Sequence, residues 1–269
     1  MELGQSPDDF CYRHPKRVSY VLCQRCARTI CGDCQIPAAV GVHCPECDQE
    51  AKRNRPRVKT RRTSEKTPVT FGLLALMGVV YLGQLLTGGL VTDLLLYWPP
   101  LTISEPWRMV TSLFVHSETS FFHILFNGYS LWVLGTLLER LLGRVRFLLL
   151  FLVSGLGGSL AVLWLAPGSA VVGASGAVFG LFGALLVVQR SFGVTNPQLV
   201  IVLVINLVMG FVVPGISWQA HIGGLLTGLA IAWGLVKSRE TAKTLGSIGI
   251  FLAVFGVIAV LTLTRFILV

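Results

Sequence analysis

Three apolar stretches of the chain contain polar residues of the types that catalyse hydrolysis. Ser175 lies in the segment Gly-Ala-Ser-Gly, and His221 lies in the segment Ala-His-Ile-Gly-Gly. His123 and Asn127 are four residues apart, so on a helix both side chains would project from the same face. A serine nucleophile needs a base and a donor for the developing oxyanion at one place. These residue types therefore predict a hydrolytic site with Ser175 as nucleophile and His221 as base.

Each of these residues, taken alone, has a simpler explanation. A serine in an apolar helix usually bonds the carbonyl four residues before it, and a single buried histidine is more often a structural hydrogen-bonding group. The Gly-x-Ser-Gly pattern is weak evidence on its own. Polar side chains in a membrane span nevertheless cost free energy, which makes each of them a candidate for function. The prediction therefore depends on all of them occurring together.

The elements that must position these residues are membrane spans. The chain has 269 residues, of which 53% are hydrophobic and only 13% are charged, against roughly a quarter charged in soluble domains. A span needs about 20 apolar residues, and seven windows qualify. They cover residues 69–88, 122–141, 146–166, 174–190, 197–213, 217–236 and 246–267. Residues 89–121 are too polar to span and too many for a simple turn, which predicts a folded loop or interfacial insertion.

The distribution of positive charge predicts the orientation of the spans. With the N-terminus in the cytoplasm, the inner loops contain seven cationic residues and the outer side contains two, which satisfies the positive-inside rule and leaves the C-terminus outside. The inner residues are Arg140, Arg144, Arg146, Arg190, Lys237, Arg239 and Lys243, and the outer ones are Arg108 and Arg265. In this arrangement His123, Ser175 and His221 all lie toward the outer side. Glycines in the fourth and sixth spans predict that these two helices pack closely.

The N-terminal region is polar and rich in cysteine. All seven cysteines lie between residues 11 and 47, and eight Cys and His side chains form four pairs at the spacing of zinc knuckles. The pairs are Cys11 and His14, Cys23 and Cys26, Cys31 and Cys34, and Cys44 and Cys47. An odd cysteine count and a cytoplasmic location disfavour disulfides, and a unit this small has too little core to fold unaided. Residues 1–50 are therefore predicted to form a zinc-binding domain with two structural Zn²⁺ ions.

A basic run from Lys52 to Lys66 connects this domain to the first span, so residues 51–68 are interpreted as a flexible basic linker. Cations beside a first span more often set topology and contact anionic lipid than bind nucleic acid. We therefore expect contact with the lipid bilayer rather than with nucleic acid. Residues 1–10 are acidic and lack an apolar core, so no signal peptide is expected.

Five segments together resemble the signature of rhomboid intramembrane serine proteases. They are GASGAVFG at 173–180, AHIGG at 220–224, HILFN at 123–127, the pair Trp107 and Arg108, and the segment 135–143. The resemblance covers residues 69–236 in the family's order, and residues 246–267 resemble the additional helix of the six-plus-one forms. It implies an all-α polytopic membrane protein, a rhomboid-like helical bundle. Six helices would form the protease core, a seventh would follow, and a small N-terminal zinc-stabilised domain would precede them.

The resemblance also implies a role for each site residue. Ser175 and His221 would form a catalytic dyad, while Asn127, His123 and backbone N–H groups near Ser175 would hold the oxyanion. Gly173 would allow the close approach of backbone and substrate, and Phe179 would support the imidazole ring from behind. Some family members have Tyr at this position, so the present chain lacks that hydroxyl. No carboxylate is placed to orient the base, since Glu139 lies at the opposite end of its span.

The substrates implied are single-span or polytopic membrane proteins cut in or near a transmembrane helix, at small residues and after local unwinding. The fifth span and residues 210–218 would form the entrance and cap. Trp107 and Arg108 would brace the first loop, and Glu139 would cap helix contacts on the inner side. A bacterial plasma membrane fits this topology best, with an organelle membrane as the alternative.

The Cys-rich domain resembles a B-box-like or RING-like cross-brace. One site would then consist of Cys11, His14, Cys31 and Cys34, and the other of Cys23, Cys26, Cys44 and Cys47. Sequential pairing of the ligands is an alternative, and His43 could replace Cys44. The domain has no catalytic groups, so it is interpreted as a module for an unidentified cytoplasmic partner.

Two other functions compete with proteolysis. A catalytically inactive rhomboid-like protein that binds membrane helices would be expected to lack Ser175 or His221, and this chain retains both. A transporter would show inverted repeats or charges at the membrane midplane, which the sequence does not contain.

Overall fold

The computed structural model describes residues 7–38, 40–53, 66–238 and 244–268. The chain divides into two units, Met1–Arg61 and Arg62–Val269. Most of the predicted basic linker, residues 54–65, lies outside the described residues, as do Arg239 and Lys243 of the charge count.

The first unit has little regular structure. Strand β1 (Phe10–Cys11) pairs antiparallel with β2 (His14–Val18), and β3 (Ile36–Pro37) pairs antiparallel with β4 (Val42–His43). One helix follows, α1 (Pro45–Arg53), which extends three residues into the region predicted as linker. The buried core consists mainly of cysteine side chains, with Ile30 as the one fully buried aliphatic residue among those described. Such a core buries too little hydrocarbon to stabilise a fold by itself.

Seven apolar helices dominate the described part of the second unit, and each begins and ends within two residues of a predicted span. They are α2 (Pro68–Thr87), α5 (Phe121–Leu142), α6 (Arg144–Leu165), α7 (Ser175–Ser191), α8 (Pro197–Val212), α9 (Trp218–Ser238) and α10 (Thr244–Ile267). Among the described residues, five of these are long and apolar enough to cross a membrane, and α7 and α8 are shorter apolar helices of 17 and 16 residues.

Local sequence explains several of these boundaries. Pro68 and Pro197 occupy the first turns of α2 and α8, where a missing N–H costs nothing. The Asn196 side chain accepts a hydrogen bond from the Leu199 backbone N–H (3.1 Å) and so caps α8. Gly88 ends α2 in the left-handed conformation with φ 58°.

Residues between α2 and α5 form a folded insertion, as the sequence predicts. It contains α3 (Leu90–Leu95), a 3₁₀ turn and α4 (Arg108–Thr111). The Arg108 guanidinium is buried, pairs with Glu105, and donates to the carbonyls of Asp93 (2.6 Å) and Leu96 (3.1 Å). Arg108 therefore braces the insertion as expected, whereas Trp107 is 53% exposed.

The insertion is also attached to the segment that precedes α7. Tyr97 and Val171 exchange two backbone hydrogen bonds of 3.1 and 2.8 Å, and the Tyr97 side chain is fully buried. Burial raises the pKa of Tyr97 to about 12, and its hydroxyl lies 2.9 Å from the Thr102 hydroxyl.

Helices α6, α7 and α9 form the centre of the bundle, and α7 is the most buried. The prediction that the fourth and sixth spans pack closely is confirmed, because α7 and α9 meet through paired glycines. A Cβ atom on Gly228 would lie 2.0 Å from the Gly180 carbonyl oxygen. Since real Cβ atoms essentially never approach within 3.0 Å, only glycine permits this backbone contact.

Glu139 caps α2, which agrees with its predicted structural role. Its carboxylate is buried near the end of α5 and accepts hydrogen bonds from the backbone N–H groups of Val69 (3.1 Å) and Thr70 (2.8 Å). The Thr70 hydroxyl donates a third bond of 2.7 Å. The negative charge thus satisfies free N–H groups at a helix N-terminus.

Candidate active site

Ser175 is the first residue of α7, and Gly173 precedes it with φ +114°, a conformation that side chains rarely permit. The Gly173 N–H donates to the Ser112 carbonyl (2.9 Å), which fixes this turn against the insertion. Backbone N–H groups in the first turn of a helix have no intrahelical acceptor. The Ser175 hydroxyl therefore lies where unsatisfied donors and the positive end of the helix dipole are available.

His221 lies in the first turn and a half of α9, and its ring is buried against α7. The ring stacks on Phe179 with a centroid separation of 4.1 Å and an interplanar angle of 13°. Phe179 lies four residues after Ser175, so both project from the same face of α7. The structure therefore brings the predicted base onto the face of the helix that carries the predicted nucleophile.

The backbones of α7 and α9 meet beside these two residues. A Cβ atom on Gly224 would lie 1.8 Å from the Gly176 carbonyl oxygen, and one on Gly176 would lie 3.2 Å from the Ala220 carbonyl oxygen. Ser175 and His221 each adjoin a residue of this contact. The two side chains are not hydrogen-bonded to each other in the described structure. Catalytic hydrogen bonds are often long without substrate and tighten when it binds.

Within the described part of the chain, the Nδ1 nitrogen of His221 has no acidic partner. His221 Nδ1 is buried and has no hydrogen-bond partner among the described residues. It faces Gly210 of α8, where a Cβ atom would lie 3.2 Å from it. Phe179 is therefore the side chain that contacts the ring face, and a carboxylate that would make a triad is absent from the described surroundings of Nδ1.

His123 and Asn127 approach the same turn from α5. A Cβ atom on Gly173 would lie 2.6 Å from His123 Nε2 and 3.9 Å from Asn127 Nδ2. The Asn127 amide donates one hydrogen bond to the His123 carbonyl (2.9 Å) and retains a second N–H. Both side chains therefore present nitrogen atoms to the backbone immediately before Ser175.

The tautomer of His123 follows from the hydrogen bond at its Nδ1 atom. The Ser117 backbone N–H lies 3.2 Å from His123 Nδ1 and can only donate, so Nδ1 is the acceptor. In a neutral imidazole the remaining nitrogen, Nε2, then carries the proton. The nitrogen that faces Gly173 is thus a hydrogen-bond donor, which suits stabilisation of a negative oxygen.

Two residues behind this site were not identified from the sequence. Gln84 of α2 is fully buried and clamps the backbone of His116, donating to its carbonyl (2.7 Å) and accepting from its N–H (3.0 Å). The His116 ring then packs edge-on against His123 at a centroid distance of 5.2 Å. Burial, with His123 nearby, lowers the pKa of His116 to about 4. The signal available in the sequence was a single glutamine in a span that contains no other amide and no charged side chain.

Residues that could bind a metal gather at two places in the first unit. Cys11, His14, Cys31 and Cys34 form one cluster and Cys23, Cys26, Cys44 and Cys47 form the other, and within each the ligand atoms lie within 4.8 Å of one another. Either cluster could hold a metal ion. His14 Nδ1 lies 3.7, 3.3 and 3.5 Å from the sulfurs of its cluster, and the Sγ atoms of Cys26 and Cys44 are 3.8 Å apart. Tetrahedral zinc with Zn–S of about 2.3 Å and Zn–N of about 2.0 Å requires separations of about 3.8 and 3.5 Å, so the residues fit the ion.

Hydrogen bonds to sulfur support thiolate character in the second cluster. The Cys44 N–H donates to Cys23 Sγ (3.2 Å), and the Cys47 N–H donates to Cys44 Sγ (3.4 Å). Arg28 donates to Cys26 Sγ (3.3 Å). Its positive charge offsets part of the negative charge that a four-thiolate zinc site carries.

The fold and site together define a helical membrane protein with a serine and a histidine on contacting helices. Comparison with known proteins agrees with this class. Residues 104–238 match the profile of the rhomboid domain. The chain is 38% identical to the rhomboid protease GluP of Bacillus subtilis over 156 residues, 55% of this chain and 30% of GluP. It is 35% identical to the putative rhomboid protease YdcA of the same organism over 142 residues, 51% of this chain and 70% of YdcA.

A third relative aligns over a longer stretch. The rhomboid protease GlpG of Yersinia pseudotuberculosis is 33% identical over 194 residues, 67% of this chain and 66% of GlpG. The region aligned with GluP is less than a third of that protein's own length. The profile match spans half of the present chain, and the chain belongs to the rhomboid family. It is accordingly a multi-pass membrane protein.

Proposed function

We propose that this protein is an intramembrane serine endopeptidase that hydrolyses peptide bonds in or near transmembrane helices of membrane-protein substrates. The observation that carries the proposal is the stacking of His221 on Phe179, four residues after Ser175, at a glycine contact between α7 and α9. The names of the relatives, rhomboid proteases, support the same activity. The residues 69–236 would form the protease core and the residues 246–267 an additional helix.

In the proposed mechanism, Ser175 Oγ attacks the scissile carbonyl carbon while its proton passes to His221 Nε2. The carbonyl π electrons move to oxygen, and the oxyanion accepts hydrogen bonds from His123 Nε2–H, the Asn127 amide and backbone N–H groups at the start of α7. Collapse of the tetrahedral intermediate breaks the C–N bond, and His221 returns the proton to the leaving amine. Water then hydrolyses the acyl-enzyme by the same two steps, with His221 as base and then acid.

Orientation of the base would come from packing rather than from an acid. His221 Nδ1 has no hydrogen-bond partner among the described residues, and the Phe179 face covers one side of the ring. Stacking of aromatic rings contributes about 0.5–1.5 kcal/mol beyond burial. This is enough to hold one ring orientation but does not stabilise the imidazolium as a carboxylate would.

Substrate access would occur beside α8. This helix is only 16 residues long, and most of its apolar side chains are exposed. A helical substrate hides its amides in hydrogen bonds, so local unwinding must precede attack, and a glycine near the cut site would ease it. The preference for small residues at the cut site is proposed from the family resemblance. Because α7 is about 25 Å long and the hydrocarbon layer is about 30 Å thick, α7 is too short to reach both surfaces. Ser175 would then lie below the outer surface, within reach of water in a cavity.

The location and topology are part of the proposal. The excess of Lys and Arg on alternate loops supports a cytoplasmic N-terminus, a C-terminus outside and a plasma membrane of bacterial type.

For the N-terminal unit we propose two structural zinc ions bound in the cross-braced pairing, with residues 1–50 as the domain. The ligand distances given above support this pairing rather than the sequential one, and they support Cys44 rather than His43 as a ligand. Zinc would supply folding free energy that the small core lacks. It would take no part in hydrolysis, and the domain would serve an unidentified cytoplasmic partner.

A cleavage assay in proteoliposomes tests the proposed activity. The substrate is a single-span protein with a reporter at each end, and wild type is compared with Ser175→Ala and His221→Ala. Loss of cleavage in both variants, with unchanged melting temperatures, is the expected result. Equal cleavage by wild type and variants, or an inert wild type across several substrates, would refute the assignment.

A further inference from the structure

A second surface of the membrane unit, which includes none of the candidate catalytic residues, has side chains that suit a ligand site. A groove of about 600 Å³ lies between the start of α2 and the end of α5. Its lining residues are Lys66, Thr67, Pro68, Phe71, Trp132, Val133, Thr136 and Arg140. Two cations therefore lie at one end of α2 and α5, together with aromatic and aliphatic side chains that the bundle leaves exposed.

The groove has a polar end and an apolar end. Trp132, Thr136 and Arg140 are spaced four residues apart, so they form one row along α5. Eight residues at 1.5 Å each place Trp132 about 12 Å along the helix axis from Arg140. Phe71 lies one turn inside α2 on the facing wall. A ligand that follows the groove would thus meet a cation first and apolar surface about 12 Å deeper.

Within the part of the chain that the structure describes, Arg140 has no polar partner that would account for its position. It is exposed and makes no hydrogen bond or ion pair with any described residue. Its neighbour Glu139 points inward and is fully engaged in capping α2. The guanidinium is thus available to a ligand at the end of the span, where lipid headgroups lie.

From these features we propose that the groove between α2 and α5 binds one anionic phospholipid. The headgroup phosphate would pair with Arg140 and Lys66, and an acyl chain would lie against Phe71, Val133 and Trp132. Arg binds phosphate through two parallel N–H donors, and basic recesses between spans are typical of such lipid sites. The charge of the groove favours an anionic lipid over a zwitterionic one. A substrate helix or a second copy of the chain would bring no negative headgroup.

Trp132 provides a direct reporter for the bound lipid. The full chain is reconstituted in phosphatidylcholine vesicles that contain increasing fractions of brominated phosphatidylglycerol or, in parallel, brominated phosphatidylcholine. The Trp132 component of the fluorescence is the difference between wild type and Trp132→Phe. Bromine quenches an indole only on contact, so the titration yields the relative binding constant of the two lipids at the groove.

Each interfacial cation is expected to contribute about a fivefold preference for an anionic lipid. Wild type should therefore prefer phosphatidylglycerol at least fivefold, and Arg140→Gln should reduce this preference about fivefold. Lys66→Gln provides an independent second variant. The matched control is Arg144→Gln, which removes an exposed arginine that does not line the groove and should change the preference by less than twofold.

Three results would overturn the proposal. They are equal quenching of Trp132 by the two lipids, equal losses in Arg140→Gln and Arg144→Gln, and protection of Trp132 from both lipids because protein covers the groove. None of these measurements uses cleavage activity, so failure here and failure of the proposed protease function are distinguishable.

Discussion

A single methyl group at the α7–α9 contact should abolish most of the proposed activity. In Gly224→Ala the new Cβ atom would lie 1.8 Å from the Gly176 carbonyl oxygen, where real Cβ contacts begin at 3.0 Å. The Gly176 carbonyl oxygen belongs to the backbone and cannot rotate away. Helices α7 and α9 must therefore separate locally by about 1.2 Å. Ser175 adjoins Gly176, and His221 lies three residues before Gly224. Most of this separation should therefore appear as a longer distance between the Ser175 hydroxyl and the His221 ring.

A misplacement of about 1 Å can cost about a hundredfold in rate. We therefore expect kcat of Gly224→Ala for a single-span substrate in proteoliposomes to fall about a hundredfold, with KM changed much less. Overpacking also costs about 1–3 kcal/mol of stability, so rates are compared below the melting temperature of the variant.

The control is Gly256→Ala on α10, where an added Cβ meets nothing within 4 Å. It should keep both kcat and stability, since alanine favours the helix. If Gly224→Ala kept kcat within threefold of wild type while remaining folded, the contact would not set the dyad geometry.

Four further predictions test other parts of the structure. Asn127→Ala should lower kcat by about 10²–10³ with little change in KM, as loss of an oxyanion donor does. Thr262→Ala removes the same kind of side-chain bond to the carbonyl four residues earlier, on α10, and should leave kcat unchanged. Phe179→Leu should lower kcat about two- to tenfold because the stacked ring is lost, whereas Phe179→Tyr should retain it; equal rates in both would show that stacking does not position His221. Glu139→Gln should cost about 2–3 kcal/mol of unfolding free energy, because hydrogen bonds to a charged group are worth about 1.5–3 kcal/mol. Glu118→Gln, which changes an exposed acid, is the control. If Glu139→Gln melted no lower than Glu118→Gln, the capping role of Glu139 would be contradicted. Metal analysis of the purified chain should give about two zinc ions. With cross-braced pairing, Cys11→Ser combined with Cys31→Ser should lose one ion, and Cys11→Ser combined with Cys23→Ser should lose both. Sequential pairing predicts the reverse for these two double variants.

The spans were predictable because helix formation in a membrane depends on local composition. A helix of about 20 apolar residues is long enough to cross the bilayer, and it pairs its backbone N–H and C=O groups within one segment. Each of the seven apolar helices accordingly lies within two residues of its window. The Cys and His pairs could be predicted for the same reason, since each knuckle places two potential ligands within four residues of sequence.

The candidate site was predictable in identity but not in geometry. Polar residues in apolar spans are costly, so Ser175, His221, His123 and Asn127 could be found by type alone. The contact of His221 with Phe179 brings together residues 42 positions apart, and it depends on how α7 and α9 pack. The glycine pairing predicted that these helices meet, but the depth and rotation of each helix follow from the whole bundle.

The surroundings of the site depend on contacts between elements that are far apart in the sequence. The clamp of Gln84 on His116, the contact of His116 with His123, and the bond from Ser117 that sets the His123 tautomer all join elements distant in the chain. The grouping of the eight candidate metal ligands into two clusters also depends on contacts across the fold; the spacing alone left it open, and the cross-brace resemblance favoured it. The residues capable of chemistry could be identified from sequence, because burial of a polar group is costly wherever it occurs. Packing decided which of them meet, because contact across helices depends on many weak interactions summed over the bundle.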